Sequence, residues 1–330
     1  MDIAYTPEQE AFRRRVQEFL HDVLPKGWGT PEHPLPKTAA ERAEVGKWWE
    51  KEIYKAGFAG LSWPKKYGGQ GLTEVEEAIF AEECAKVDAP QGINFLGKSL
   101  LGPTLLLEGT EEQKQRFLPP MLAGDEIWCE GYSEPDAGSD LAALKTSAVL
   151  QGDEWVINGE KIWTSNAHLA DWIFLLARTD PNAPKHRGIS FLLVPMHQPG
   201  ITISPIRQIT GDAEFNMEKF ENARTAKENI VGEVNDGWRI ANVILSFERG
   251  SGALESYARY RKEIDLLLSL SKQLEGPNGV LAQDSYYRQK LMASWTENEI
   301  LRLIGYNIAT QLQQKDHLGP EASIQKLFYS

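Results

Sequence analysis

The first part of the chain carries apolar residues at helical spacing. In residues 6–23 they recur every three or four positions, which is the repeat of an amphipathic helix. This segment opens on Thr6-Pro7-Glu8-Gln9, in which threonine is followed three residues later by glutamine, with proline at the first helical position. The same threonine-led pattern stands at 73–76 and at 110–113. These three capping boxes predict an N-terminal helical domain over residues 1–125.

From residue 126 the apolar positions alternate with polar ones or form short runs, separated by Pro, Gly and Asn, which is typical of strands. Asn158-Gly159 lies between the strand-like segments 154–157 and 160–163. Because both residues tolerate positive φ, the pair predicts a tight two-residue hairpin. Further strands are predicted at 172–176, 189–194 and 201–206. We expect a central, small antiparallel β domain over residues 126–235.

Helical spacing returns after Asn235-Asp236-Gly237. It predicts helices over 238–255, 256–274 and 286–314, with a Gly-Pro break at 275–279. The chain is therefore expected to be an α+β multidomain protein, with a C-terminal helical bundle over residues 236–330 after the β domain. A last helical segment, 321–329, is followed at once by the end of the chain, and we expect the natural protein to continue beyond it.

Composition narrows the class of protein. A chain of 330 residues can hold two or three packed units, and 42% apolar with 25% charged residues is typical of a folded globular protein. The net charge of -12 argues against a nucleic-acid partner, because phosphate binding needs clustered Lys and Arg. Two cysteines, Cys84 and Cys129, cannot form a disulfide framework and have no CxxC companion for zinc. We read both as small apolar residues of the core.

The chain start at 1–5 has neither a basic patch nor an apolar segment, and no apolar run approaches the roughly 18 residues needed to span a membrane. These features favour a cytoplasmic protein without a membrane span.

Residues 132–141, YSEPDAGSDL, are the first candidate for chemistry. The acids around Gly138 lack the alternating ligands and distal glutamate of a calcium loop, so a metal is disfavoured. Gly138 would allow close backbone approach, Ser139 offers a hydroxyl, and amides at the start of 140–144 could face a phosphate. The alternative is a capped turn without a ligand.

The second candidate is the segment from Lys161 to Ala167. In an alternating strand Trp163 and Ser165 point to the same face, so an indole and a hydroxyl would emerge side by side. A flat heteroaromatic ring edged with hydrogen-bonding atoms could use that pair. The alternative is that Trp163 belongs to the core and Ser165 to a turn.

The third candidate is Glu248. Helical spacing places it on an apolar stripe continued from Ile240 and Ile244. A carboxylate on such a stripe should have its pKa raised by desolvation, which suits a general base. The alternatives are a buried Glu248 paired with a distant cation, or an exposed one beside Arg249.

Together these segments resemble the acyl-CoA dehydrogenase flavoproteins. Residues 129–148, 161–172 and 245–250 carry the resemblance in that order, and it extends from Tyr5 to Ser330 with support from 60–73, 109–125 and 232–238. It implies FAD as cofactor and α,β-dehydrogenation of an acyl-CoA thioester, in fatty acid or side-chain β-oxidation. It also implies that electrons pass to an electron-transfer flavoprotein.

The resemblance also implies roles for individual residues. The family loop matching Tyr132 and Ser133 meets the pyrimidine edge of the flavin, and the serine matching Ser139 reaches the pyrophosphate. The tryptophan matching Trp163 packs against the ring, and the hydroxyl matching Ser165 hydrogen-bonds near N5. Many members have threonine where this chain has Ser133 and Ser165, a change that keeps the hydroxyl.

For the catalytic base, the resemblance implies two possible positions. Some members carry it near the C-terminus, before a glycine-threonine pair, and others carry it at the position of Glu248. Arg249 would then help to fix the substrate or the base helix. The oxyanion hole would come from a flavin ribityl hydroxyl and the backbone N–H of the base.

One departure from the family concerns partners. Symmetric oligomers of the family usually carry an Arg-x-x-Phe-Gly motif that reaches the neighbour's FAD, and residues 266–277 lack it. Either a homo-oligomer with substitute cations, such as Arg261, Lys272 or Arg288, or a hetero-oligomer is expected. The alternatives in function are a flavin oxidase or monooxygenase of the same fold, and a non-catalytic subunit of a heteromeric dehydrogenase.

Overall fold

A computed structural model describes residues 5–250, 253–277, 279–314 and 321–329 of the chain. Helical and strand regions follow one another along the chain in the predicted order, α, then β, then α. The helices are α1 (Pro7–Val23), α2 (Ala39–Lys55), α3 (Glu74–Lys86), α4 (Gly102–Glu108), α5 (Glu111–Leu122), α6 (Gly237–Gly250), α7 (Ala253–Ser271), α8 (Ser285–Gln314) and α9 (Glu321–Tyr329), with a π-helical turn at Leu96–Leu101 before α4.

The predicted capping boxes are confirmed. Thr6, Thr73 and Thr110 each accept a hydrogen bond from a backbone N–H of the first turn, and the side chain at the third helical position accepts one from the threonine N–H. Each box satisfies backbone donors that would otherwise have no partner at the helix start. A fourth box, at Thr38, starts α2 and was not predicted.

The C-terminal helices are also confirmed, with shifted boundaries. The segment predicted as 238–255 forms α6, which ends at Gly250, and α7 already begins at Ala253. The predicted break contains two short paired strands, β9 (Glu275–Gly276) and β10 (Gly279–Val280).

The β region forms one eight-stranded sheet. Its strands run in the order β6-β7-β3-β2-β4-β5-β8, with β1 pairing with β4 off this path. Most neighbours are antiparallel, as predicted, but β4 pairs in parallel with both β1 and β2. The strands are β1 (Trp128–Gly131), β2 (Ser147–Gln151), β3 (Glu154–Ser165), β4 (Trp172–Arg178), β5 (Ile189–Pro195), β6 (Ile201–Ile206), β7 (Phe215–Ala226) and β8 (Ile230–Val231).

The predicted hairpin at Asn158-Gly159 is wrong. Both residues lie inside β3, which runs unbroken from Glu154 to Ser165 and pairs with β2 on one side and β7 on the other. The hairpin instead joins β2 to β3 through Gly152, which has a φ of 65°. Gly159 is needed for a close approach, because a Cβ there would stand 2.6 Å from the Cα of Thr146.

Contacts divide the chain into two compact units, which are described separately. The helical unit contains α1, α3, α7, α8 and α9. Within it, an ion pair between Arg13 and Glu82, at 3.1 Å, connects α1 to α3. The other unit contains α2, α4, α5, the sheet and most of α6. Its core under the sheet is apolar and includes Cys129, as predicted, whereas Cys84 of the helical unit is only partly buried.

Among the described helices, none combines the length and the apolar character that crossing a membrane requires.

Candidate functional site

The segment after β1 runs beside the second half of β3. Tyr132 is buried and Ser133 is partly buried. The carbonyl oxygen of Ser133 accepts a hydrogen bond from the N–H of Ile162 at 2.9 Å. The structure thus brings the predicted site residues of the loop and of β3 onto neighbouring backbone segments.

Glu134 shapes this loop. Its carboxylate accepts hydrogen bonds from the backbone N–H groups of Lys145 at 2.6 Å and Thr146 at 2.9 Å. Burial opposes its ionisation, but the charge of Lys161 and the backbone donors hold the pKa of Glu134 below its usual value. The negative charge therefore stays inside the loop, where it closes the turn.

Asp140 does not cap the turn that follows it. The turn at Leu141–Ala143 begins without a side-chain cap, and Asp140 instead binds Lys185 at 2.5 Å on the surface. Ser139 is exposed, and a Cβ at Gly138 would meet no atom within 4 Å. The predicted pyrophosphate contact therefore falls on an open stretch of loop.

Trp163 forms a β-bulge in β3. Ile162 pairs with Met217 and Thr164 pairs with Asn216, so Trp163 has no partner of its own in the ladder. Its φ is 65°, and its side chain is 57% exposed.

We predicted that Trp163 and Ser165 point to the same face because side chains alternate along a strand. The bulge interrupts that alternation, so this basis of the prediction is wrong here. Ser165 itself is partly buried at the end of β3. The Trp163 indole lies edge-on to Phe215, with ring centroids 6.3 Å apart. The interpretation of Trp163 as a core residue is also excluded by its exposure.

A left-handed backbone is costly for a bulky residue, on the order of 1–3 kcal/mol, and persists only where the surroundings enforce it. Here a buried amide enforces it. Asn216 is fully buried, and its Nδ2 donates to the carbonyl oxygens of Thr164 and Glu214, each at 3.0 Å. The N–H of Asn166, also at positive φ, donates to Glu214 as well, at 2.8 Å. These hydrogen bonds hold the bulge in place through Thr164 and Asn166, which follow Trp163 in the chain.

Two buried ionisable side chains close to the bulge along β3 and β7 were missed from the sequence. Lys161 is fully buried, and its Nζ donates to the carbonyl oxygen of Tyr132 and to Oε1 of Glu134, both at 2.9 Å. Burial lowers the pKa of Lys161 to about 8, against the opposing attraction of Glu134. The sequence did offer one signal. Lys161 stands an even number of residues from Trp155 and Ile157, so an alternating strand turns all three side chains to the same buried face.

Glu218 is the second missed residue. It pairs with Lys161 across β3 and β7, and its Oε2 accepts a hydrogen bond from the Thr164 hydroxyl at 2.5 Å. Its other oxygen has no hydrogen-bond partner among the described residues. Burial raises the pKa of Glu218 to about 7, and the hydrogen bond from Thr164 and the charge of Lys161 only partly offset this.

Glu218→Gln should change how stability depends on pH. The pKa of Glu218 is about 7 in the folded protein and 4.5 for an ordinary glutamate. Its contribution to the free energy of unfolding is therefore complete below about pH 4.5 and is lost as the pH rises through about 7. The variant should lack this loss, and its free energy of unfolding relative to wild type should gain up to about 3 kcal/mol between acidic and mildly alkaline pH. Denaturant unfolding across this range measures it.

The matched control is Glu221→Gln, at an exposed position on the same strand. It should leave the pH profile of wild type in place. Parallel profiles for wild type and Glu218→Gln would show that Glu218 does not titrate inside the fold.

Helix α6 carries the third candidate. Ile240 and Ile244 are fully buried, which confirms the apolar stripe leading to Glu248. The helix start is anchored by Arg239, whose guanidinium makes two hydrogen bonds to Glu108, at 2.6 and 2.8 Å. Position 248 lies within α6, but the side chains of Glu248 and Arg249 fall outside the described part of the structure.

Among the described residues, no three His, Cys, Asp or Glu side chains lie close enough together to hold a metal ion.

Comparison with known proteins gives a consistent set of relatives. Family models for the N-terminal, middle and C-terminal domains of acyl-CoA dehydrogenase match residues 6–125, 129–223 and 235–330. Acyl-CoA dehydrogenase IpdE1 of Mycobacterium tuberculosis is 44% identical over 309 residues, which covers 91% of this chain and 77% of that protein.

Two solved structures have the same fold. The ChsE4-ChsE5 complex from Mycobacterium tuberculosis contains a chain that is 34% identical, with a TM-score of 0.82, over 99% of this chain and 82% of that one. The Tcur3481-Tcur3483 steroid ACAD is 31% identical, with a TM-score of 0.83 and the same coverage of 99% and 82%.

Proposed function

The chain belongs to the acyl-CoA dehydrogenase family, and from this premise we propose that it is an FAD-dependent enzyme that removes the α and β hydrogens of an acyl-CoA thioester. Members of the family are flavoproteins. The observation that carries the proposal is Trp163, an exposed indole at a backbone conformation that costs stability. Such a residue is expected where a flat ligand repays the strain.

The residues present fit a flavin. An exposed aromatic face at Trp163 suits stacking on a ring, and the partly buried hydroxyls of Ser133 and Ser165 suit the polar edge of an isoalloxazine. The backbone of the Tyr132–Ser133 segment would add polar groups at the same edge. Ser139 is exposed beside Gly138, where a Cβ would meet no atom within 4 Å, and it would take the pyrophosphate.

When bound, FAD supplies the acceptor for the hydride that leaves the β carbon. The chain's own contribution is a base that removes the proton from the α carbon, and we assign this role to the Glu248 carboxylate. Position 248 continues the stripe of Ile240 and Ile244 on α6, and a carboxylate in apolar surroundings is a stronger base. Arg249 would help to fix the thioester or the base helix.

For the substrate and partners we propose a bulky acyl group and a heteromeric assembly. A similar structure is named a steroid ACAD, and a second similar structure is a complex of two different chains. The absence of the Arg-x-x-Phe-Gly motif in residues 266–277 supports the same assembly. Electrons would pass to an electron-transfer flavoprotein.

The proposal is tested by anaerobic mixing of the purified, FAD-loaded chain with short, long, branched and steroid-linked acyl-CoA thioesters. At least one class should bleach the visible flavin absorbance, and the steroid-linked class should do so fastest. The reduced protein should then reoxidise slowly in air and rapidly with an electron-transfer flavoprotein. Rapid reoxidation by oxygen alone would make it an oxidase, and a colourless chain that binds no FAD would make it a non-catalytic subunit.

A further inference from the structure

The ammonium of Lys161 lies between the two segments to which we assign cofactor contacts. It donates to the carbonyl oxygen of Tyr132 and to Glu134 on one segment. On the other segment, β3, Lys161 itself stands two residues before Trp163. One fully buried side chain therefore links the loop edge to the strand that presents the indole.

Further hydrogen bonds complete this link. The N–H of Ile162 donates to the carbonyl oxygen of Ser133 at 2.9 Å. Glu134 is held at its far side by the N–H groups of Lys145 and Thr146. The loop can move away from β3 only by exposing or unpairing buried polar groups, which is energetically costly.

A buried ion pair is a poor way to gain stability alone. Removing two charges from water costs several kcal/mol per ion, and well-packed apolar residues of similar volume are often equally stabilising or better. An ammonium, however, can donate hydrogen bonds to two oxygens at once and so hold them in fixed directions, which an apolar side chain cannot do. Its presence two residues before the strained, exposed Trp163 is therefore better explained by geometry than by stability.

We propose that Lys161 is a positioning residue of the cofactor site, whose ammonium holds the Tyr132–Ser133 backbone at a fixed spacing from the Trp163 bulge before FAD arrives. This inference rests on the proposed FAD-dependent function and adds a residue that touches neither cofactor nor substrate. A cradle ordered in advance avoids the entropic cost of ordering it on binding, so its loss should appear as lower FAD affinity.

The test compares Lys161→Met and Lys161→Gln with wild type, using apoprotein titrated with FAD and the visible circular dichroism of the bound flavin. The glutamine variant keeps an N–H donor without the charge and is used if the methionine variant does not fold. The dissociation constant for FAD should rise roughly tenfold or more. The dichroism should change too, because the ring is no longer held in one orientation.

Lys98→Met is the matched control, because Lys98 also pairs with a buried glutamate, Glu50, in the same unit. It should lose stability while its FAD dissociation constant stays within about twofold of wild type. Unchanged FAD affinity in the Lys161 variants, or an equal loss in Lys98→Met, would overturn the positioning role while leaving the function intact. A wild-type chain that binds no FAD would contradict both proposals.

Discussion

Glu248→Gln is expected to give a yellow, FAD-loaded protein whose bleaching by acyl-CoA is slower by about three orders of magnitude. Glutamine is close in shape to glutamate but cannot take the α proton, so binding should survive while the proton transfer fails. Stopped-flow absorbance under anaerobic conditions measures the rate. Equal thioester affinity in both proteins would show that the loss lies in the chemical step.

Glu233→Gln provides the control, because it removes the same charge from an exposed position shortly before α6. Its bleaching rate should match that of wild type. If Glu248→Gln also bleaches near the wild-type rate, the base is not Glu248, and the C-terminal position known from the resemblance takes its place.

Gly159→Ala is expected to lower the free energy of unfolding by about 3 kcal/mol or more. A Cβ at this position would stand 2.6 Å from the Cα of Thr146, and the φ of 146° is unfavourable for any residue with a side chain. Thr146 directly precedes β2, and its hydroxyl donates to the carbonyl oxygen of Glu160 on β3, so it cannot move away without straining the pairing of the two strands. Denaturant unfolding followed by tryptophan fluorescence measures the loss.

Gly152→Ala is the comparison that isolates the close approach. Gly152 also has a positive φ, but a Cβ there would meet no atom within 4 Å. It should cost only about 1 kcal/mol, the price of the left-handed backbone. Equal losses at the two glycines would mean that Gly159 lies in an open turn, as the sequence pattern first suggested.

Local signals explain why the helices could be predicted. A capping box involves residues only three positions apart, so the boxes at Thr6, Thr73 and Thr110 are visible in the sequence and present in the fold. The Asn158-Gly159 pair misled for the same reason. Its turn preference is local, whereas the continuation of β3 is decided by the partner strands β2 and β7, far away along the chain.

The candidate site was predictable only in part, and for the same reason. Its exposed residues lie in short motifs that sequence alone could single out, but the bulge that turns Trp163 outward depends on pairing with β7. Lys161, Glu134 and Glu218 meet only after three distant segments are in register. A lone strand lysine or glutamate gives no such sign, because most charged strand residues face water.

Anaerobic titration of the FAD-loaded chain with a saturated acyl-CoA tests the proposed dehydrogenation most directly. We predict that each flavin is bleached by one equivalent of a suitable thioester, which is recovered as the 2-enoyl-CoA with two hydrogens fewer. A flavin that dithionite bleaches but no acyl-CoA class does, with every thioester recovered unchanged, would contradict it.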